Sequence, residues 1–167
     1  MALNIEIINK QTSYIVSLYS LCNLIKRFKQ TTSMLEDKKL KAFIPTVDPE
    51  KAKNFYSNVL GLKLISEDHY GMEFNSNGAL LRITKVNKLS PHPFTVLGWE
   101  VDNLPLMIIS LLKAGVEFER YNFLEQDDLG IWTAPGGVKV AWFKDPDGNL
   151  LSLTEYVSSL NESINQN

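Results

Sequence analysis

The chain has 167 residues, with 17 Lys and Arg against 19 Asp and Glu, and 44% of its residues are hydrophobic. That is one domain, or one domain with an appendage, with enough apolar sequence to form a core without staples. A formal net charge of −2 argues against a general nucleic-acid binder. The absence of an 18-residue apolar run excludes a membrane-spanning helix, and the lone Cys22 cannot form an internal disulfide, which points to a reducing compartment or to no redox role; a cytoplasmic location is expected.

Residues 1–39 stand apart as an N-terminal extension. Between Ser13 and Lys29, apolar residues recur at Leu18, Leu21, Ile25 and Phe28, the stripe of an amphipathic helix closed by Lys26, Arg27 and Lys29. Only Lys10 precedes the stretch and no small-residue cleavage site follows, so it does not read as a secretory signal. The helix either docks on the rest of the chain or is dispensable, upstream of a start at Met34. From residue 34 onward there are 13 basic and 18 acidic side chains, a net of −5, which further disfavours nucleic acid.

A main domain is expected over residues 40–157, followed by a tail, 158–167. Ala42–Val47 is a predicted strand. Asp48-Pro49 then opens a helix with a cap and a first-turn proline, Ala52, Phe55, Tyr56, Val59 and Leu60 carry its apolar face, and Gly61 ends it. Strands are predicted at Lys63–Glu67, Gly71–Asn75 and Ala79–Val86, the last two joined by the hairpin dipeptide Asn77-Gly78.

The order then recurs. Phe94–Val101 is a predicted strand and Asn103 caps a helix over Leu104–Ala114, ended by Gly115. Val116–Phe123, Val138–Lys144 and Leu150–Tyr156 are predicted strands, with Asp147-Gly148 in the last turn. Gly78 and Gly148, like Thr84 and Thr154, are separated by 70 residues. Two βαβββ copies, about 41–87 and 93–157, are the simplest account. One helix per four strands covers one face of each sheet, so the other faces meet or enclose something, and a cleft between them would suit a small molecule.

Two segments carry a family resemblance. Asp48-Pro49-Glu50-Lys51-Ala52-Lys53-Asn54-Phe55-Tyr56, with Val59-Leu60-Gly61-Leu62, resembles the first helix of the vicinal-oxygen-chelate superfamily. Trp142-Phe143-Lys144-Asp145-Pro146-Asp147-Gly148-Asn149 is similar to its closing hairpin. That group includes glyoxalase I, bleomycin-resistance proteins, fosfomycin-modifying transferases and extradiol dioxygenases. The resemblance implies an α+β fold of two βαβββ modules forming a cleft, but no single activity, because many chemistries share the scaffold.

Metal enzymes of this family place ligands on the first and last strand of each repeat. Carried over by position, those places fall on Lys41, Arg82, a residue near Val96, and Ser152. Two cations, an aliphatic side chain and one hydroxyl do not make a divalent-metal site, so neither metal nor another cofactor is expected. His69 and His92 match none of these positions.

Lys41, Arg82, Glu100, Ser152 and Trp142 are the candidate ligand-binding residues. Arg82 should share a strand face with Leu80 and Thr84, and it needs an anionic ligand, Glu100 or another cleft carboxylate as its partner, or else access to solvent. Glu125, Asp127 and Asp128 read as a solvated loop, Ala134-Pro135-Gly136-Gly137 as a tight turn, and Trp99, Trp132, Tyr121 and Phe43 as core or cleft wall.

The leading expectation is a metal-independent, bleomycin-resistance-like protein that binds a small, anionic molecule. The alternatives are a lyase or isomerase-like enzyme using Glu100, Lys41 or Arg82, and a structural or regulatory interaction module. The helix at Leu104–Ala114 is apolar nearly all round, which points to a homodimer or to cover by the N-terminal helix.

Overall fold

The computed structural model describes residues 20–23 and 34–156. The chain divides into two units, Met1–Lys39 and Leu40–Asn167. Residues 20–23 are helical. The rest of the predicted amphipathic helix, with Leu18, Ile25 and Phe28, and the tail 158–167 lie outside the described residues.

The first module begins with strand β1 (Lys41–Thr46). Pro45 is tolerated within it because β1 is an outer strand of a four-stranded sheet, in which residues 79–85, 71–76 and 63–68 follow it in that spatial order. Asp48 then caps helix α1 (Pro49–Asn54), its carboxylate accepting the Lys51 N–H at 3.2 Å. The helix continues as a π-helical turn, Phe55–Val59, whose wider winding puts both Phe55 and Tyr56 into the core. Gly61, at φ +71°, ends it, and the Leu62 N–H bonds back to the Tyr56 carbonyl at 2.9 Å. Strands β2 (Lys63–Asp68), β3 (Gly71–Ser76) and β4 (Ala79–Lys85) follow, with a bulge between Leu64 and Ser66. Asn77 and Gly78 both have positive φ, as the tight β3–β4 hairpin requires.

The second module repeats the plan with β5 (Leu97–Glu100), helix α2 (Leu104–Lys113), β6 (Trp132–Thr133), β7 (Lys139–Lys144) and β8 (Leu150–Glu155), ordered β5-β8-β7-β6. One expectation fails here: Val116–Phe123 is not a strand. It makes a single bridge, Phe118 to Phe143, and the two-residue β6 fills the outer position. The reason is local. The Gln126 side chain accepts from the Tyr121 N–H at 2.7 Å and donates to the Glu119 carbonyl at 3.1 Å, so a side chain satisfies backbone groups that a ladder would otherwise pair.

The helix-side faces of both sheets contribute to one continuous core, from Ile44, Tyr56, Phe74 and Ile83 in the first module to Ile108, Phe143, Leu151 and Leu153 in the second. Polar ties cross between the modules. Tyr56 donates to Asp145 at 2.9 Å, Thr46 to Asp147 at 2.5 Å, and Asn149 to the Pro45 carbonyl at 3.0 Å.

Candidate functional site

Register decides which side chains share the helix-free face of the first sheet. Lys41 lies beside Leu80, Phe43 beside Arg82 and Pro45 beside Thr84, while Glu73 stands opposite Arg82 on the other flank. The face therefore carries an ion-pair chain. Lys41 Nζ is 2.6 Å from Glu73 Oε1, Arg82 Nη1 is 3.3 Å from the same oxygen, and Arg82 Nη2 donates to both Asp68 carboxylate oxygens at 2.8 Å. The hydrogen bond from Lys41 holds the Glu73 carboxyl below the usual carboxylate range, and Arg82 does the same to Asp68. The Arg82 side chain is 16% exposed and that of Asp68 is 53% exposed, so one end of this chain is open to solvent. Phe43, 62% exposed, lies alongside. Thr84 completes the face with a buried hydroxyl oxygen that has no hydrogen-bond partner.

The second sheet presents a different surface at the corresponding places. Gly98 pairs with Ser152 and Trp142 flanks Ser152 on the other side. A Cβ at Gly98 would come within 2.6 Å of Ser152 Oγ, so glycine is what allows Ser152 to lie inward there. Trp142 is edge-on to Tyr121 at 5.6 Å and tilted against Trp132 at 6.2 Å, and its indole N–H donates to Thr95 at 3.1 Å. These rings form an aromatic wall on the helix-free side. Val96 donates its N–H to Leu150, which makes it the counterpart of Lys41, itself paired with Leu80.

Lys41 and Arg82 are thus brought together through Glu73, and Ser152 and Trp142 through their strand pairing. Glu100 joins neither pair. It ends β5 opposite Thr154, and Arg82 takes Glu73 and Asp68 as its carboxylates. Asp127 is a turn former whose Oδ1 accepts the Leu129 and Ile131 N–H groups, both at 2.9 Å. Among the described residues no three His, Cys, Asp or Glu side chains converge as a metal would need. The family's ligand positions hold two paired cations, Val96 and Ser152, a donor set that does not fit a divalent ion.

Glu73 and Asp68 were missed from the sequence, although Glu73 was within reach. Counting outward from a two-residue Asn77-Gly78 turn pairs Ser76 with Ala79, and three steps further pairs Glu73 with Arg82. Asp68 had no such signal, because the β2 bulge breaks the count.

Paired βαβββ modules, each with a helix-free face bearing two of the four strand positions just described, define the class of protein. The family model for the Glyoxalase/Bleomycin resistance protein/Dioxygenase superfamily matches residues 40–153, and the chain belongs to that family. A glyoxalase family protein from Bacillus anthracis is 19% identical with a TM-score of 0.57, covering 72% of this chain and 96% of its own. A glyoxalase family protein from Enterococcus faecalis is 24% identical, TM-score 0.54, covering 73% and 98%. Lactoylglutathione lyase from Agrobacterium tumefaciens is 14% identical, TM-score 0.56, covering 72% and 95%. At these identities the likeness is one of fold. No curated protein matches the chain.

Proposed function

We propose that this chain is a metal-independent small-molecule binder whose ligand lies on the helix-free faces of the sheets and carries an anionic group. The observation that carries the reading is the pairing of Lys41 and Arg82 on one carboxylate, Glu73, with the solvent-open Asp68 as the second counter-ion of Arg82. A ligand carboxylate or phosphate can replace Asp68 on Arg82, which keeps Arg82 paired and leaves the displaced Asp68 carboxylate to solvent. A ring in the ligand would find faces at Trp142 and Trp132. Glu73 is a poor general base, since the hydrogen bond from Lys41 holds its carboxyl below the usual carboxylate range, and this weighs against acid–base catalysis at Arg82. The protein would act in the cytoplasm as a homodimer. No helix among the described residues is long and apolar enough to cross a membrane.

The test is calorimetry with a panel of small aromatic carboxylates and phosphates, together with mass spectrometry of what co-purifies. Arg82→Met should weaken the best binder roughly tenfold to a hundredfold, the range for a charge-assisted hydrogen bond. Asp68→Asn should tighten it. Unchanged affinity in both Arg82→Met and Lys41→Met proteins would show that the cations serve only the fold. One equivalent of Zn, Ni, Fe or Mn in untagged protein would overturn the metal-independent part.

A further inference from the structure

A cavity of about 220 Å³ lies on the helix side of the sheets, behind the surfaces just described. Trp99, Phe143 and Leu153 alternate with Gly98, Trp142 and Ser152 along their strands, so they point away from the helix-free face. Leu60, Leu62 and Ser76 of the first module meet Trp99, Met107 and Phe143 of the second around this space. We propose that it is a second binding site, for a small uncharged molecule of one or two rings, or a short alkyl chain, carrying a single oxygen.

Size and lining select that occupant. An apolar cavity of about 150 Å³ already admits benzene, so this one accommodates a fused pair of small rings. Its floor is core: Phe143 is fully buried and Leu153 nearly so. No Lys or Arg lines it and Glu100 is among its lining residues, which disfavours an anion and sets this ligand apart from the one proposed above. The polar handle is Ser76, whose Oγ accepts the Trp99 indole N–H at 2.9 Å. That contact leaves the hydroxyl proton free to donate to a ligand oxygen. Met107, 41% exposed, adds an unbranched wall that can adapt to shape. Because the lining comes from both modules, an occupant holds them together.

The chain has three tryptophans, so a proton–nitrogen spectrum of the full chain has three indole signals, and Trp99→Phe identifies the relevant one. The probes are 1-indanone and indane, its counterpart without oxygen. Both should move the Trp99 signal while the Trp132 and Trp142 signals stay in place. Ser76→Ala should weaken 1-indanone about fivefold and leave indane within about twofold. Leu62 and Val101 both line the cavity, so Leu62→Phe and Val101→Phe, each filling it with a ring, should weaken both probes at least about tenfold in proteins whose spectra remain dispersed. Arg82→Met should leave both probes unaffected, so this site and the helix-free face can fail separately. The proposal is overturned if neither probe moves Trp99 at millimolar concentration. It is equally overturned if the shifts fall on Trp132 and Trp142, or if both filled variants fold and bind like the parent.

Discussion

Thr84 sits on the helix-free side of β4, two residues from Arg82, with its hydroxyl oxygen buried and unpartnered. Leaving such a group unpaired costs about 1–3 kcal/mol, and valine has nearly the same shape without it. Thr84→Val should therefore raise the unfolding free energy by about 1 kcal/mol, read from urea denaturation midpoints at constant m. A loss of stability would reveal an internal partner for the hydroxyl. The same residue illustrates what could be read at this scale. The 70-residue offset to Thr154 and the face shared with Arg82 were both legible, because strand alternation is a property of the local chain. That its oxygen lacks a partner was not, since it depends on what Pro45 and Gly71 bring alongside from other strands.

At the level of elements, stop signals were read more accurately than strands. Gly61 adopts φ +71° and an added Cβ there meets nothing, so Gly61→Ala should cost only the left-handed backbone penalty, about 1 kcal/mol. A cost above about 3 kcal/mol in a denaturation series would mean that the π-helical turn depends on this glycine too. Val116–Phe123 was misread because its apolar residues mimic a strand while Gln126, five residues beyond Tyr121, takes over the hydrogen bonds. Helix α2 turned out as its composition implied. Leu104, Ile108 and Leu111 are buried, Met107 is partly exposed beside them at the cavity, and Leu106, Ile109 and Leu112 are exposed along the other side. If that row is the dimer surface, Leu106→Lys with Ile109→Lys should convert a dimer to a monomer in sedimentation while leaving the circular dichroism spectrum unchanged. A double variant that still sediments as a dimer would move the interface elsewhere.

Over the whole molecule, the repeat made the architecture legible, yet the way the two copies hold each other was not. Asp147-Gly148 reads as a hairpin turn, but Asp147 also reaches 100 residues back along the sequence. Its carboxylate accepts the Thr46 hydroxyl at 2.5 Å and the Val47 N–H at 2.9 Å. No local pattern encodes a partner so far away. Acid should act on the Tyr56–Asp145 tie and on the ion pairs in opposite directions. Glu73, Asp68 and Glu155 have lowered pKa values, through hydrogen bonds from Lys41, Arg82 and Lys139. Their contribution is present above the unfolded carboxylate range of about 4 and is lost as pH falls through their folded values. Asp145 is shifted upward by burial, against the pull of Asn149 and Tyr56. Its charge therefore opposes folding at neutral pH, and that opposition fades as pH falls through its raised value. Tm should thus hold steady or rise slightly from pH 7 toward 5 and drop below about 4. Asp145→Asn should remove the rise, and a Tm that falls steadily from pH 7 would contradict the assignment.

The clasp itself offers a direct test of how the modules share their stability. Thr46 is buried and its oxygen still accepts the Asp48 N–H, so Asp147→Ala strands only the hydroxyl proton, and with it the Val47 N–H. Two lost hydrogen bonds, one from a buried donor, should cost about 2–3 kcal/mol in all. The continuous core running from Tyr56 to Phe143 predicts where that loss appears. If the modules unfold together, the tryptophans, all in the second module, and the far-ultraviolet signal of both will shift to the same lower midpoint. Were the modules only tethered, the variant would show two transitions, with tryptophan fluorescence following just one. Asp147→Asn keeps one carbonyl acceptor and should recover part of the loss. Two separated transitions in Asp147→Ala, or no loss at all, would refute a clasp that couples the halves.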